Sequence, residues 1–210
     1  PQDVKDAYSM GLLSANGNMT SGDGHIMLDF EKMIYSGANG IIEDAKQKLD
    51  ALDLTDPASH HKRIFYLSVI TVYEGVIAYA ERYAALALRL AQSAESAQRK
   101  EELLRLSEIC RRVPANPAEN FYEAVQTVWF AHLISQIESN GHSMSFGRLD
   151  QYLFPFYKKG LEDGTLTDSS AIELLACLWV KAFGVVKIRP WSHTRFSGGG
   201  PPYQNLTLGG

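Results

Sequence analysis

The spacing of apolar and polar positions predicts a chain that is mainly helical. Five segments carry apolar residues at helical spacing, and four of them open on a capping residue. The predicted helices run from Asp29 to Leu52, Asp56 to Ala94, Arg99 to Arg112, Asn116 to Ser139 and Ser170 to Lys187. The first is interrupted by Gly37 and Gly40, which more often mark close helix packing than chemistry.

Two of these helices are apolar on almost every face. The segment from Asp56 to Ala94 is surrounded by Ala, Leu, Val and Tyr, so we expect it to be deeply packed. The segment from Asn116 to Ser139 leaves little room for a hydrated face. Charged residues at Glu74 and Arg82 interrupt the longest apolar stretch, so the pattern predicts no membrane span.

Among the remaining segments, two are predicted as loops and one as a strand. A polar, glycine-rich stretch from Met10 to Gly24 is typical of a loop that ends at His25. An aromatic run from Tyr152 to Tyr157 surrounds Pro155. Residues 189–202 form a turn-rich loop, and residues 203–208 form the one convincing strand. No internal repeat or linker divides the chain.

Composition and charge narrow the function classes. The chain has 210 residues, of which 45% are hydrophobic and 21% are charged, as is ordinary for a globular protein. A net charge of −4 gives no basic excess, which argues against nucleic acid as a partner. Two cysteines without a CxxC spacing favour a reducing, cytoplasmic setting. The chain starts without Met and stops at a glycine pair, so we expect a piece of a longer polypeptide.

Three polar clusters lie where predicted helices end: residues 24–25, 140–143 and 191–195. Loops at helix ends are where rigid scaffolds present binding groups. Each cluster also has an ordinary interpretation, because a histidine there is more often a capping or packing residue. The residues alone therefore give only weak hypotheses.

Common catalytic patterns fit these clusters poorly. A metal site of His25, His132 and His142 would follow no zinc spacing. A triad of Ser143, His193 and Asp150 would lack the GxSxG elbow. The glycine run at 198–200 lacks the Lys and Ser or Thr of a phosphate loop. No metal site is predicted.

Three ordered segments carry a family resemblance. Residues 24–32 read GHIMLDFEK, residues 138–151 read ESNGHSMSFGRLDQ and continue into the aromatic run, and residues 203–210 read YQNLTLGG after a loop that begins RPWSHTRFSG. They resemble the glycyl radical enzymes, in particular the dehydratase and lyase branch of the pyruvate formate-lyase-like proteins. The resemblance is collinear and spans nearly the whole chain.

This resemblance implies an α/β barrel with helices packed outside, enclosing a buried pocket. Residues 1–210 would be a mainly α-helical portion of that fold, with the first barrel strand or strands near its C-terminal end. They would form part of one pyruvate formate-lyase-like domain without an internal boundary. The C-terminal region that holds the radical glycine would be absent.

The resemblance also implies substrate-binding residues. In the dehydratases, the residues matching His25, His142 and Ser143 contact substrate hydroxyls, and an imidazole near its pKa can protonate a leaving oxygen or accept a proton. Gly17 stands where relatives carry substrate-shaping side chains, which implies a roomier pocket. Leu149 replaces a Phe that is frequent between the Arg and Asp, which would alter the aromatic wall.

Neither radical-bearing residue of the family is present. The thiyl-forming Cys of the family lies in a Gly-Cys-x-Glu context, whereas Cys110 and Cys177 lie within helical patterns and are interpreted as structural, the latter on a helix that looks buried. The chain therefore contains no catalytic residue of its own and is expected to be inactive alone.

The parent protein is expected to be a glycyl radical lyase or dehydratase that eliminates water, or another leaving group, from a small hydroxylated substrate. The family implies no metal or organic cofactor, a radical installed by an S-adenosylmethionine-dependent activase, and a homodimer in the cytoplasm, with a bacterial microcompartment left open. Two alternatives remain: a formate C-acetyltransferase-type 2-ketoacid lyase, and a non-catalytic helical binding or scaffold module.

Overall fold

The computed structural model describes residues 1–12, 25–139, 143–185 and 204–209. This part of the chain is mainly helical, as predicted, and contains seven helices and two short strands. In chain order they are α1 (Gln2–Ser9), β1 (Ile26–Met27), α2 (Phe30–Asp50), α3 (Ser59–Gln92), α4 (Ala97–Arg112), α5 (Phe121–Glu138), β2 (Met144–Ser145), α6 (Leu149–Glu162) and α7 (Asp168–Phe183). The helix α1 and the helical state of the aromatic run in α6 were not expected from the sequence.

Helix α5 is the centre of the fold. It contacts α2, α3, α4, α6 and α7 as well as β2. The largest apolar cluster forms around it, where burial of large side chains provides most of the stabilising free energy. That cluster includes Phe30, Ile34, Phe121, Val128, Phe146, Leu149, Leu153 and Leu178. The prediction of an almost wholly buried helix is confirmed for α5, apart from Ile137 and Glu138 at its C-terminal end.

Helix α2 is kinked at Gly37, where the backbone has φ 64° and ψ 170°. The N–H of Ala118, in the segment before α5, donates to the carbonyl of Ile34 at 2.9 Å. This segment therefore bonds an acceptor that the kink in α2 leaves without a helical partner. A Cβ on Gly37 would lie 2.5 Å from the carbonyl carbon of Asn116. The predicted interruption at Gly37 is confirmed, whereas Gly40 continues the helix.

Helix α3 is less buried than predicted. Its C-terminal half packs against α4 through small residues such as Ala84 and Ala87. Its N-terminal half exposes large apolar side chains, with Phe65 62% exposed and Ile64 49% exposed. The expectation of a deeply packed helix is wrong, because α4 lies along only the second half of α3 among the described residues.

By length and composition alone, α3 is long and apolar enough to cross a membrane, and only 11% of that apolar window is buried. These criteria allow charged residues within the window, whereas the sequence-based prediction rested on the interruption of the apolar stretch by Glu74 and Arg82, so it stays a prediction. Core helices of water-soluble proteins meet the same criteria, so the indication is weak.

Four helices begin at residues other than those predicted. Helix α3 begins at Ser59 and is not capped by Asp56, and α4 begins at Ala97, after the cap Ser96, and not at Arg99.

Helix α5 is capped by Asn120, whose side chain accepts from the N–H of Glu123, and not by Asn116. Helix α7 is capped by Thr167 in a reciprocal pair with Ser170, so Ser170 is the third helical residue instead of the cap. Asn116 lies in the segment that fills the α2 kink, which explains why it does not cap a helix.

The strands are parallel and come from distant parts of the chain. Ile26 pairs with Met144 and Met27 pairs with Ser145. Leu206 forms a parallel bridge to Gly147, just after β2. The backbone that starts at β2 therefore pairs first with β1 and then with the segment that contains Leu206. The C-terminal strand predicted at 203–208 is represented by this bridge within 204–209, while β1 and β2 were not predicted.

Candidate functional site

Two of the predicted substrate-binding residues, His25 and Ser143, lie together where both strands of the parallel pair begin. We call this end of the pair the strand edge. His25 directly precedes β1 and Ser143 directly precedes β2. The N–H of His25 donates to the carbonyl oxygen of Ser143 at 3.0 Å. Parallel strands in register bring their starts to the same edge, so the fold joins two residues that are far apart in the sequence.

Both residues have a left-handed backbone. The φ angle is 63° at His25 and 55° at Ser143. Non-glycine residues adopt this region uncommonly and with some strain, and such residues concentrate at functional sites. The observation marks the pair as unusual whatever its role.

Their side chains differ in environment. The Ser143 side chain is buried, and among the described residues its hydroxyl has no hydrogen-bond partner. The His25 residue is exposed. A buried hydroxyl without a partner is costly, so Ser143 is the member of the pair that is poised to bond an added polar group.

The other predicted site residues are placed as follows. Gly17 and His142 lie outside the described residues. Leu149 is the first residue of α6 and is 4% exposed, within the main apolar cluster. The structure therefore joins His25 with Ser143 and places Leu149 in the main apolar cluster.

Gly147 was not predicted and shapes the same region. It has φ 62°, and a Cβ there would lie 1.7 Å from the sulfur of Met27. A larger side chain at Gly147 would require the Met27 side chain to move, and the positive φ adds strain of its own. The signal that the sequence offered for this residue was a glycine shortly after the polar cluster at 140–143.

Arg148 and Asp150 form an ion pair near the strand edge. Arg148 Nε lies 3.2 Å from Asp150 Oδ1, and Asp150 Oδ2 accepts from the N–H of Gly209 at 3.0 Å. The bond from Arg148, followed by that from Gly209, lowers the pKa of Asp150. Asp150 thus ties the C-terminal segment to α6, which is not the role of a triad acid. His193, the third member considered, lies outside the described residues.

His132 is fully buried on α5. Its ring stacks on Phe146 with centroids 4.1 Å apart, and Nε2 contacts Gln204 Oε1. Burial lowers the pKa of His132, against an opposing effect of the bond to Gln204. Burial therefore favours the uncharged form of this imidazole. Its polar contacts were missed because a single His in an apolar helix gives no sequence signal.

Of the three histidines considered for a metal centre, His25 and His132 are described, whereas His142 lies outside the described residues. Within 1–12, 25–139, 143–185 and 204–209, no group of three or more His, Cys, Asp or Glu side chains could hold a metal ion. His132 is committed to Gln204, and His25 lies at the strand edge.

The two cysteines lie in different environments. Cys110 is buried, and burial raises the pKa of its thiol to about 11. Cys177 is exposed, so the expectation that it lies on a buried face is wrong. Helix α7 turns only one of its faces toward α5.

An apolar cavity of about 260 Å³ lies between α2, α3 and α5. It is lined by side chains such as Met33, Val76 and Ile134, with Asp29 and Glu138 also at its walls. Neither His25 nor Ser143 lines it. The cavity is therefore separate from the strand edge.

Comparisons with protein families and with known proteins give matches over most of this chain. A model of the family described as "Pyruvate formate lyase-like" matches residues 1–210. The Escherichia coli (strain K12) protein named "Probable dehydratase YbiW" is 40% identical over 207 residues, covering 98% of this chain and 26% of that protein. The isethionate sulfite-lyase of Oleidesulfovibrio alaskensis (strain ATCC BAA-1058 / DSM 17464 / G20) is 44% identical over 154 residues, which cover 72% of this chain and 19% of that protein.

A solved structure, the glycerol-bound form of the B12-independent glycerol dehydratase from Clostridium butyricum, matches with a TM-score of 0.85 at 43% identity. The match covers 90% of this chain and 24% of the chain in the solved structure. The present chain thus spans about a quarter of the length of the relatives that it matches.

Proposed function

This chain belongs to the pyruvate formate lyase-like family, and from that premise we propose that its parent protein is a glycyl radical lyase of the dehydratase type. The substrate is a small hydroxylated molecule, and the reaction eliminates water from it. The observation that carries the proposal is the 40% identity to a protein named as a dehydratase, sustained over 98% of this chain.

The geometry of the strand edge supports the proposal. His25 and Ser143 meet through their backbones, and the buried Ser143 hydroxyl has bonding capacity left among the described residues. Elimination of water needs a donor for the leaving oxygen and an acceptor for the neighbouring hydroxyl proton. In the proposal, His25 and the His142–Ser143 pair supply these groups, while Gly17 and Leu149 shape the pocket.

The rest of the parent supplies the radical chemistry. A cysteine thiyl there takes a hydrogen atom from the substrate carbon and returns one after the leaving group has gone. In this proposal, residues 1–210 bind the substrate and hold the groups that exchange protons with it. The radical-bearing residues lie elsewhere in the parent. The parent requires no metal or organic cofactor in this proposal.

The proposed partners follow from the same chemistry. A radical S-adenosylmethionine activase installs the glycyl radical, and the parent forms a homodimer in the cytoplasm. Packaging in a bacterial microcompartment is compatible with this proposal but is not part of it.

A second candidate keeps the mechanism and changes the leaving group. The 44% identity to an isethionate sulfite-lyase favours elimination of sulfite from a hydroxylated sulfonate. A formate C-acetyltransferase-type 2-ketoacid lyase would need paired adjacent cysteines elsewhere in the parent. A scaffold module would form no radical.

The test uses the full-length parent, activated without oxygen by its own activase. Electron paramagnetic resonance should give a glycyl radical signal, and one of glycerol, propane-1,2-diol or isethionate should be consumed. Consumption of a diol supports dehydration, and consumption of isethionate with release of sulfite supports the second candidate. Failure to form the radical would contradict both and favour the scaffold.

A further inference from the structure

Gln204 has one orientation that its contacts permit. Its Nε2 lies 2.8 Å from the carbonyl oxygen of Ala182, which can only accept, so the amide nitrogen must face that carbonyl. The amide oxygen of Gln204 therefore faces α5. There it accepts from Gln136 Nε2 at 3.3 Å and contacts His132 Nε2.

This orientation makes Gln204 Oε1 an acceptor for His132, so Nε2 of His132 donates to it. Gln136 Nε2 lies 3.0 Å from the same His132 nitrogen, and because both nitrogens are then donors, Gln136 donates to Gln204 Oε1 instead. Nδ1 of His132 is buried without a hydrogen-bond partner among the described residues. His132 and Gln136 therefore both hold Gln204, the first residue of the segment 204–207.

The segment 204–207 pairs with the backbone that follows β2. The N–H of Phe146 donates to the carbonyl of Asn205 at 2.8 Å, and the N–H of Thr207 donates to the carbonyl of Gly147 at 2.9 Å. His132 contacts both partners, since its ring stacks on Phe146 while Nε2 holds Gln204. One buried side chain therefore touches the two backbones that must align.

We propose that His132 is a positioning residue of the site: through Gln204 and Phe146 it sets the alignment of the segment 204–207 with β2, and thereby the place of Ser143 at the strand edge. β2 begins one residue after Ser143, and Ser143 in turn accepts from His25. The role in turnover rests on the proposed function, whereas the role in strand alignment does not.

The alignment is tested by hydrogen–deuterium exchange with mass spectrometry on the full-length parent. His132→Phe keeps a ring for Phe146 and removes the donor to Gln204. His132→Gln places an amide nitrogen near the position of Nε2 and restores the donor. The matched control is Ser107→Ala, which removes a buried bond of 2.8 Å to the Ala84 carbonyl between α3 and α4.

His132→Phe should raise exchange about tenfold in peptides covering 143–148 and 204–209, since a buried acceptor loses its donor. Exchange in α3 and α4 should stay at the wild-type rate. His132→Gln should return the rates to within about threefold of wild type. The control should raise exchange only in α3 and α4. Unchanged exchange at the two strand peptides, or an equal rise across the whole protein, would overturn the proposal.

A second arm separates this inference from the proposed function. In activated parent, His132→Phe should keep the glycyl radical yield and the KM for the consumed substrate while kcat falls about tenfold, and His132→Gln should recover kcat. If wild type forms no radical, the proposed function fails and exchange alone decides the positioning role. If the radical forms and kcat is unchanged in His132→Phe, the link to Ser143 is wrong.

Discussion

Gly37 lies where a side chain and the backbone of a neighbouring segment would occupy the same space. Its φ of 64° disfavours any L-residue, and a Cβ would lie 2.5 Å from the Asn116 backbone. Backbone atoms cannot move aside as the end of a side chain can. Both effects act in the same direction, so the position tolerates glycine alone.

Gly37→Ala should therefore lower the free energy of unfolding by about 3 kcal/mol or more. Gly75→Ala is the matched control, because Gly75 lies in α3 with open space around it. That change should raise stability by about 0.5–1 kcal/mol, as expected for a helix interior. Urea unfolding of the parent measures both, and equal effects of the two substitutions would contradict this account of the kink.

His132 gives stability a pH dependence with a definite sign. Burial lowers its pKa in the folded state below the ordinary 6.5. The unfolded chain then binds the proton more readily, so the folded state loses stability as pH falls from above 6.5 toward the folded pKa. Unfolding of wild type and His132→Gln between pH 7.5 and 5 should diverge in that window, with wild type falling more steeply. Parallel curves would contradict a neutral, buried imidazole.

The two thiols should differ in reactivity. Cys110 is buried with a pKa of about 11, so almost none of it is thiolate at neutral pH, whereas Cys177 is exposed. A disulfide reagent should modify Cys177 first and Cys110 only on unfolding. Mass spectrometry of Cys110→Ala and Cys177→Ala assigns the sites, and equal rates at both would be inconsistent with this packing.

At the scale of elements, the sequence pattern predicted the existence of most helices and the cap Asp29 of α2, but not the first residues of the other predicted helices. Asn116 and Thr167 illustrate why. Both are residues that can cap a helix, but Asn116 is drawn into the α2 kink, where it bonds the Arg112 carbonyl at 3.0 Å. Which candidate caps a helix depends on tertiary contacts, which local pattern does not contain.

The start of α7 can be tested directly. Thr167→Ala removes the side chain that accepts from the Ser170 N–H and should cost about 1 kcal/mol of stability. The sequence from Ser170 to Glu173 matches the S-x-x-E pattern of a capping box, which predicts Ser170 as the cap. Because Thr167 is the cap instead, Glu173→Ala should change stability by less than about 0.5 kcal/mol. Chemical denaturation of the parent distinguishes them. A larger loss for Glu173→Ala would restore the capping box expected from the sequence.

At the scale of the whole molecule, the family and the helical character could be predicted, while the strands could not. β1 and β2 have two residues each and pair across a long stretch of chain. Such short strands leave no periodic pattern, and their pairing depends on the helices between them. The resemblance indicated His25 and Ser143 as site residues, but only the fold shows that their backbones bond. His132 and Gln204 were missed because their partnership also spans distant segments.

The strand edge of His25 and Ser143 is the central claim, and turnover of the activated parent tests it most directly. Ser143→Ala and His25→Ala should keep the glycyl radical signal of wild type but lose about a hundredfold in kcat/KM for the consumed substrate. Ser107→Ala, remote between α3 and α4, should retain wild-type kcat/KM. Full turnover in both site variants, with the radical intact, would contradict the claim that this edge binds the reacting molecule.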